Sequence, residues 1–183
     1  EEAEEAMFYQ GKALLEEAGL RQYEVSNFAL PGFESRHNQV YWRNGHYLGL
    51  GCGAHSFLRL GADLVNLGAP RPKLTASRVQ GGAAVETAPG HAGEQYRFWS
   101  LRTPPAYRQA VERGEMPVEA GEVIDQKSEM AETMMLGLRL LKGVNEVDFQ
   151  TRFGRTVSEV YGPIIERQVE LGLLERADGH VRL

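Results

Sequence analysis

Arg36-His37-Asn38-Gln39-Val40-Tyr41-Trp42 brings an imidazole, a guanidinium and two aromatic rings into one short run. A neutral imidazole is a good iron ligand, and a hydrogen bond to its second nitrogen usually fixes the tautomer. If the run is helical, His37 and Tyr41 share one face, while Asn38 and Trp42 share the neighbouring one. His37 would then ligate the iron of a porphyrin walled by Tyr41 and Trp42, with Arg36 paired to a propionate. A second reading needs no ligand: His37 is an ordinary satisfied histidine, and Asn38 and Trp42 lock the loop.

A few residues on comes Gly49-Leu50-Gly51-Cys52-Gly53. Taken as part of a strand from Tyr47 to Phe57, the pattern puts Gly49, Gly51 and Gly53 on one face without side chains. Leu48, Leu50, Cys52 and Ala54 then fill the other face as core, which makes Cys52 a packing residue rather than a nucleophile. The bare face suits a cofactor laid against it, or equally a helix packed close on the sheet. His55-Ser56 at the strand end is either a ligand contact or a capping pair. The glycine spacing does not make a dinucleotide-binding fingerprint. Met130, Met134 and Met135 lie at helical spacing and are expected in a helix core.

Local signals place these groups on elements. Residues 3–18 predict an amphipathic helix on Ala3, Met7, Leu14 and Ala18, closed by Gly19. Tyr23 to Ala29 predicts a strand, Arg36 to Trp42 two helical turns, and Tyr47 to Phe57 a second strand. That rhythm belongs to α/β units with a parallel sheet. Residues 61–94 are rich in Gly, Pro and Ala and are expected to form a surface excursion or linker. Beyond them helices dominate. One opens at Thr103-Pro104 and ends near Gly114. A longer one runs from Gln126 to Lys142, a short one is capped by Asn145, and another spans Val157 to Leu171 with a restart at Gly162-Pro163. Asp178-Gly179 signals a terminal hairpin, giving a winged-helix-like outline. The organisation expected is 1–60, a 61–94 insertion, and a helical 95–183.

Composition narrows the function. A net charge of −5 over 183 residues argues against nucleic acid, which selects basic surfaces. No apolar run approaches the roughly 18–20 residues that span a bilayer. A single cysteine and the lack of a signal peptide fit a reducing cytoplasm. The chain starts at Glu1 inside a helical pattern and stops at Leu183 inside a strand pattern, as expected of a piece of a longer protein.

Tyr23-Glu24-Val25-Ser26-Asn27-Phe28-Ala29, Arg36-His37-Asn38-Gln39-Val40-Tyr41-Trp42 and Tyr47-Leu48-Gly49-Leu50-Gly51-Cys52-Gly53-Ala54-His55-Ser56 together resemble the coproporphyrinogen III oxidase-like radical SAM proteins. The His-Asn-x-x-Tyr-Trp motif resembles their heme chaperone, HemW-type branch. The resemblance implies the C-terminal part of a radical SAM partial (β/α) barrel in 1–60, then a mostly helical, winged-helix-like domain. It implies heme held at His37 as metal ligand, with Arg36, Asn38, Tyr41 and Trp42 around it, and delivery to heme-accepting proteins such as respiratory enzymes. In the intact protein it implies a 4Fe-4S cluster and S-adenosylmethionine, the latter beside Ala29. The family's CxxxCxxC cluster motif has no counterpart here, where Cys52 is the lone cysteine, and no residue of this chain is expected to be catalytic. Cys52 also departs from the proline usual between those glycines. The alternative that the resemblance carries is an oxygen-independent coproporphyrinogen III oxidase.

Overall fold

The computed structural model describes residues 2–59 and 95–183, so the 61–94 insertion lies outside the described residues. Along the first part run α1 (Glu2–Glu17), β1 (Arg21–Gln22), β2 (Phe28–Ala29), α2 (Arg36–Trp42) and β3 (His55–Arg59). The second part begins with β4 (Gln95–Ser100), α3 (Pro104–Glu112), β5 (Val118–Ile124) and α4 (Gln126–Gly137). It ends with β6 (Val144–Asn145), α5 (Glu146–Phe153), α6 (Val157–Glu170), β7 (Glu175–Ala177) and β8 (His180–Arg182). This is a mixed α/β chain that folds as two units.

One unit comprises residues 1–44, 132–151 and 155–183. Its first strand is not the continuous Tyr23–Ala29 run that alternation suggests. β1 and β2 instead pair antiparallel, Arg21 opposite Ala29. The turn between them follows from Glu24, whose carboxylate accepts the Ser26 N–H (3.1 Å) and the Asn27 side-chain amide. Such local capture competes with an extended ladder. α1 buries none of its residues, and Met7 and Leu14 are exposed.

α4 stops at Gly137, short of the Lys142 that its apolar spacing suggests. The reason lies in the next residues, where the chain leaves the helix to bridge the Tyr23–Val25 segment. Val25 donates to the Arg139 carbonyl (2.9 Å) and Leu141 to that of Tyr23 (3.1 Å).

The closing segment matches its local signals. Asn145 accepts the Asp148 N–H at 2.9 Å and opens α5. Thr156 and Glu159 form a reciprocal capping box on α6. α6 runs unbroken through Pro163, without the restart expected there. Asp178 (φ 52°) and Gly179 (φ 72°) turn β7 into β8, and β6 completes a three-stranded antiparallel sheet in the order β6-β8-β7. Val144, Phe149, Val157, Ile165 and Val181 are buried in this winged-helix-like part.

The other unit comprises residues 45–131 and 152–154. Its centre is the antiparallel sheet β3-β4-β5. Leu58, Tyr96 and Phe98 pack on one face with Met116 and Val118. Phe57 is buried on the opposite face, beneath the edge of His46 (5.4 Å) and the guanidinium of Arg97 (5.6 Å). Every strand pair among the described residues is antiparallel, so the parallel rhythm expected from residues 1–57 is corrected. Two of these strands, β4 and β5, fall in the 95–183 region expected to be mostly helical, outside the individual helices expected there. Gln95–Ser100 alternates buried Tyr96 and Phe98 with Arg97 and Trp99, a period-two pattern that only a sheet satisfies.

Candidate functional site

Helix α2 forms over the run expected to be helical, and both its ends are anchored. Ser35 caps it, its hydroxyl accepting the Asn38 N–H at 3.2 Å. Just past its end, Asn44 is buried in a left-handed conformation (φ 49°) and donates its side-chain amide to the Thr133 hydroxyl at 3.2 Å.

The two sides of α2 differ. Asn38 and Trp42 are half-buried, and the guanidinium of Arg139 lies 4.3 Å over the Trp42 ring. Arg139 in turn stands 3.8 Å from Oε2 of Glu24, a carboxylate with no exposed surface. On the other side Arg36 and His37 are exposed. The His37 ring meets Tyr41 edge-on, with centroids 4.9 Å apart and planes at 77°. Among the described residues, neither ring nitrogen of His37 has a hydrogen-bond partner. The imidazole therefore sits on an anchored helix with its donor nitrogens open, the condition for ligating a metal from outside. No group of three or more His, Cys, Asp or Glu side chains gathers as a metal site among the described residues. A metal bound at α2 would therefore have one imidazole, His37, to ligate it.

Ala29 belongs to the same unit, half-buried at the end of β2. The three glycines belong to the other unit, and the bare strand face expected of them does not form. Tyr47 and Phe57 exchange both backbone hydrogen bonds at 2.9 Å, so the chain between them is a loop and not one strand. Gly51 (φ 106°) and Gly53 (φ 67°) take left-handed backbone, which rules out a regular alternation of faces. Their N–H groups go to the Tyr107 hydroxyl and the Leu101 carbonyl, each at 3.1 Å. At Gly49 the demand is steric: a Cβ there would stand 2.1 Å from the His55 carbonyl oxygen. The near neighbour at Gly49 is thus the backbone of β3, not the packed helix of the second reading. Leu48, Leu50 and Cys52 are exposed on this loop, which corrects the expectation of a packed face and a buried thiol. His55 is exposed and stacks on Trp99 across the β3-β4 ladder (5.6 Å, 29°).

Glu24 and Arg139 carry no signature in the sequence that sets them apart. Glu24 looks like a polar strand residue, and Arg139 lies far along the chain from α2. One retrospective signal exists: a glutamate followed by Ser26 and Asn27 can fold back on both, which hides a charge that then needs a cation.

Residues 124–183 match the family model of the HemN C-terminal domain. Over all 183 residues the chain is 26% identical to the heme chaperone HemW of Bacillus subtilis (strain 168), covering 39% of that protein. Over 161 residues, 88% of the chain, it is 34% identical to the heme chaperone HemW of Lactococcus lactis (strain IL1403), covering 33% of that protein. The chain thus spans well under half the length of these curated relatives. Its fold also matches the structure of the Escherichia coli coproporphyrinogen III oxidase HemN, a radical SAM enzyme. That match has a TM-score of 0.56 at 10% identity, over 96% of this chain and 36% of that one. That match defines the fold class, an α/β chain built like the corresponding part of that enzyme. Residues 124–183 belong to the HemN C-terminal domain family, and the chain as a whole is similar to heme chaperones of the HemW type.

Proposed function

We propose that this chain carries the heme-binding segment of a heme chaperone, and that the intact protein passes heme to acceptor proteins such as respiratory enzymes. The observation that supports it is the exposed His37 on the anchored helix α2, with neither ring nitrogen partnered among the described residues. Heme would bring an iron that an imidazole nitrogen can bind. His37 would hold it, with Tyr41 bracing the imidazole edge-on and Arg36, exposed one residue before, suited to a propionate.

Ala29, at the end of β2, is the residue proposed to lie beside S-adenosylmethionine in the intact protein. Cluster ligation draws on cysteines outside this chain, since Cys52 is its only one. No helix among the described residues is long and apolar enough to cross a membrane. The proposed place of work is the cytoplasm.

Heme titration of the intact protein tests the reading, followed at the Soret band in wild type and His37→Ala. The expected result is loss of the band or a shift in its position, with affinity reduced at least about tenfold, a factor that one coordinate bond readily exceeds. Equal affinity and an identical spectrum would remove His37 from the site. The oxidase alternative is separated by anaerobic assay with coproporphyrinogen III, where robust turnover by the reconstituted protein would displace the chaperone reading.

A further inference from the structure

We infer that Arg139 is a positioning residue for the heme-binding helix, seated on the Trp42 ring and held there by the buried carboxylate of Glu24. The inference rests on the heme reading for its functional consequence, though not for its structural content.

Three polar atoms meet on the inner side of α2 without hydrogen-bond partners: Trp42 Nε1, Arg139 Nε and Glu24 Oε2, all buried. A Trp ring held by its N–H would be oriented by that bond. Here the N–H is idle, so the contact that sets the ring is the guanidinium plane 4.3 Å above it. The guanidinium is itself constrained. Glu24 has no exposed surface, and among the described residues its ion-pair partner is Arg139, at 3.8 Å. A buried carboxylate deprived of its cation is strongly unfavourable, so Glu24 restrains Arg139 from swinging out to solvent.

The main chain leaves it little freedom either. Residue 139 accepts the Val25 N–H, and Leu141 donates to Tyr23, which fixes the base of the side chain on the segment that carries Glu24. Trp42 and His37 ride on the same seven-residue helix, so a tilt of the ring reorients the imidazole. Arg139 also lies within residues 124–183, the part matching the HemN C-terminal domain, whereas Glu24 and α2 precede it. The family's C-terminal domain thus supplies the residue that sets the helix on which heme ligation depends.

The test uses the intact protein, labelled with fluorotryptophan and read by fluorine NMR without heme, the Trp42 resonance being assigned by Trp42→Phe. Heme affinity is measured in parallel at the Soret band. Arg139→Gln should move the Trp42 resonance and weaken heme binding by roughly two- to fivefold, the range that a partly exposed cation–π contact represents. Arg139→Lys, which keeps the charge but not the plane, should move the resonance in the same direction and restore only part of the affinity. An unmoved Trp42 resonance in both variants overturns the inference, and so does a moved resonance with heme affinity unchanged while His37→Ala abolishes binding. Should His37→Ala itself leave heme binding intact, the heme reading fails alone. The positioning of α2 is then judged on the resonance, where a shift supports it and no shift overturns it. Arg139→Lys also guards against misfolding, because it preserves the charge that Glu24 needs.

Discussion

Gly49 shows how a residue can look like a ligand platform and be a packing necessity. Its N–H donates to the buried Ser56 hydroxyl at 3.0 Å, and its missing side chain lets the His55 carbonyl pass at what would be bonding-type distance from a Cβ. Backbone cannot yield as a side-chain tip can. Gly49→Ala should therefore destabilise the protein by about 1–3 kcal/mol, the usual cost of overpacking a tight site. Denaturant unfolding of wild type and variant checks it, and equal midpoints would mean that the loop opens freely at this point. His37 stands at the other extreme. Among the described residues nothing satisfies its nitrogens, which is the state that the proposed heme ligation requires. The sequence run that flags it is legible because helical spacing puts His37 and Tyr41 together, and the structure keeps that pairing.

At the scale of elements, the helices of the closing segment were readable from local chemistry because each carries its own start signal. Asp125 precedes α4 and accepts the Ser128 N–H at 2.7 Å, while Glu159 closes the capping box of α6. Backbone N–H donation holds both carboxyls below their ordinary range, from Ser128 to Asp125 and from Thr156 to Glu159. A carboxylate with a lowered folded-state pKa adds stability that is present above its unfolded pKa. That stability fades as pH falls through the folded value. Asp125→Ala should cost about 0.5–1 kcal/mol at neutral pH, and the gap from wild type should close under acid conditions. Thermal melts across that range decide it, and a gap that persists undiminished in acid would show that the charged cap is not its source. Sheets were less legible for a matching reason. β4 pairs with β3 and β5, so its partners lie outside any local window, and the alternation in Gln95–Ser100 gains meaning only beside Phe57 and Leu58. Likewise the Tyr23–Ala29 run has strand-like residues, but Glu24 turns it through hydrogen bonds that a propensity pattern does not contain.

At the scale of the whole molecule, much of the arginine charge in the closing segment is paired internally. Of the arginines in the winged-helix-like part, Arg167, Arg176 and Arg182 are all in ion pairs, with Glu170, Glu146 and Glu175. Such a surface has little to offer a phosphate backbone, in keeping with the net charge of −5. The pair that matters most for cohesion is elsewhere. Glu129 of α4 has no exposed surface, and Arg152 of α5 reaches it through Nε (2.8 Å) and NH2 (2.5 Å). Arg152 thereby brings the short 152–154 segment into the unit built on residues 45–131. Its neighbour Phe153 is fully buried there, and the Phe153 carbonyl accepts the Gln126 side-chain amide at 3.1 Å. Removing the cation leaves the buried carboxylate less well compensated, whereas removing both charges does not. Arg152→Met should then lower stability by about 3–5 kcal/mol, and adding Glu129→Leu should recover most of the loss. Urea unfolding of the single and double variants measures the difference. A double variant no more stable than Arg152→Met alone would assign the cost to lost packing around Phe153 and not to the buried charge.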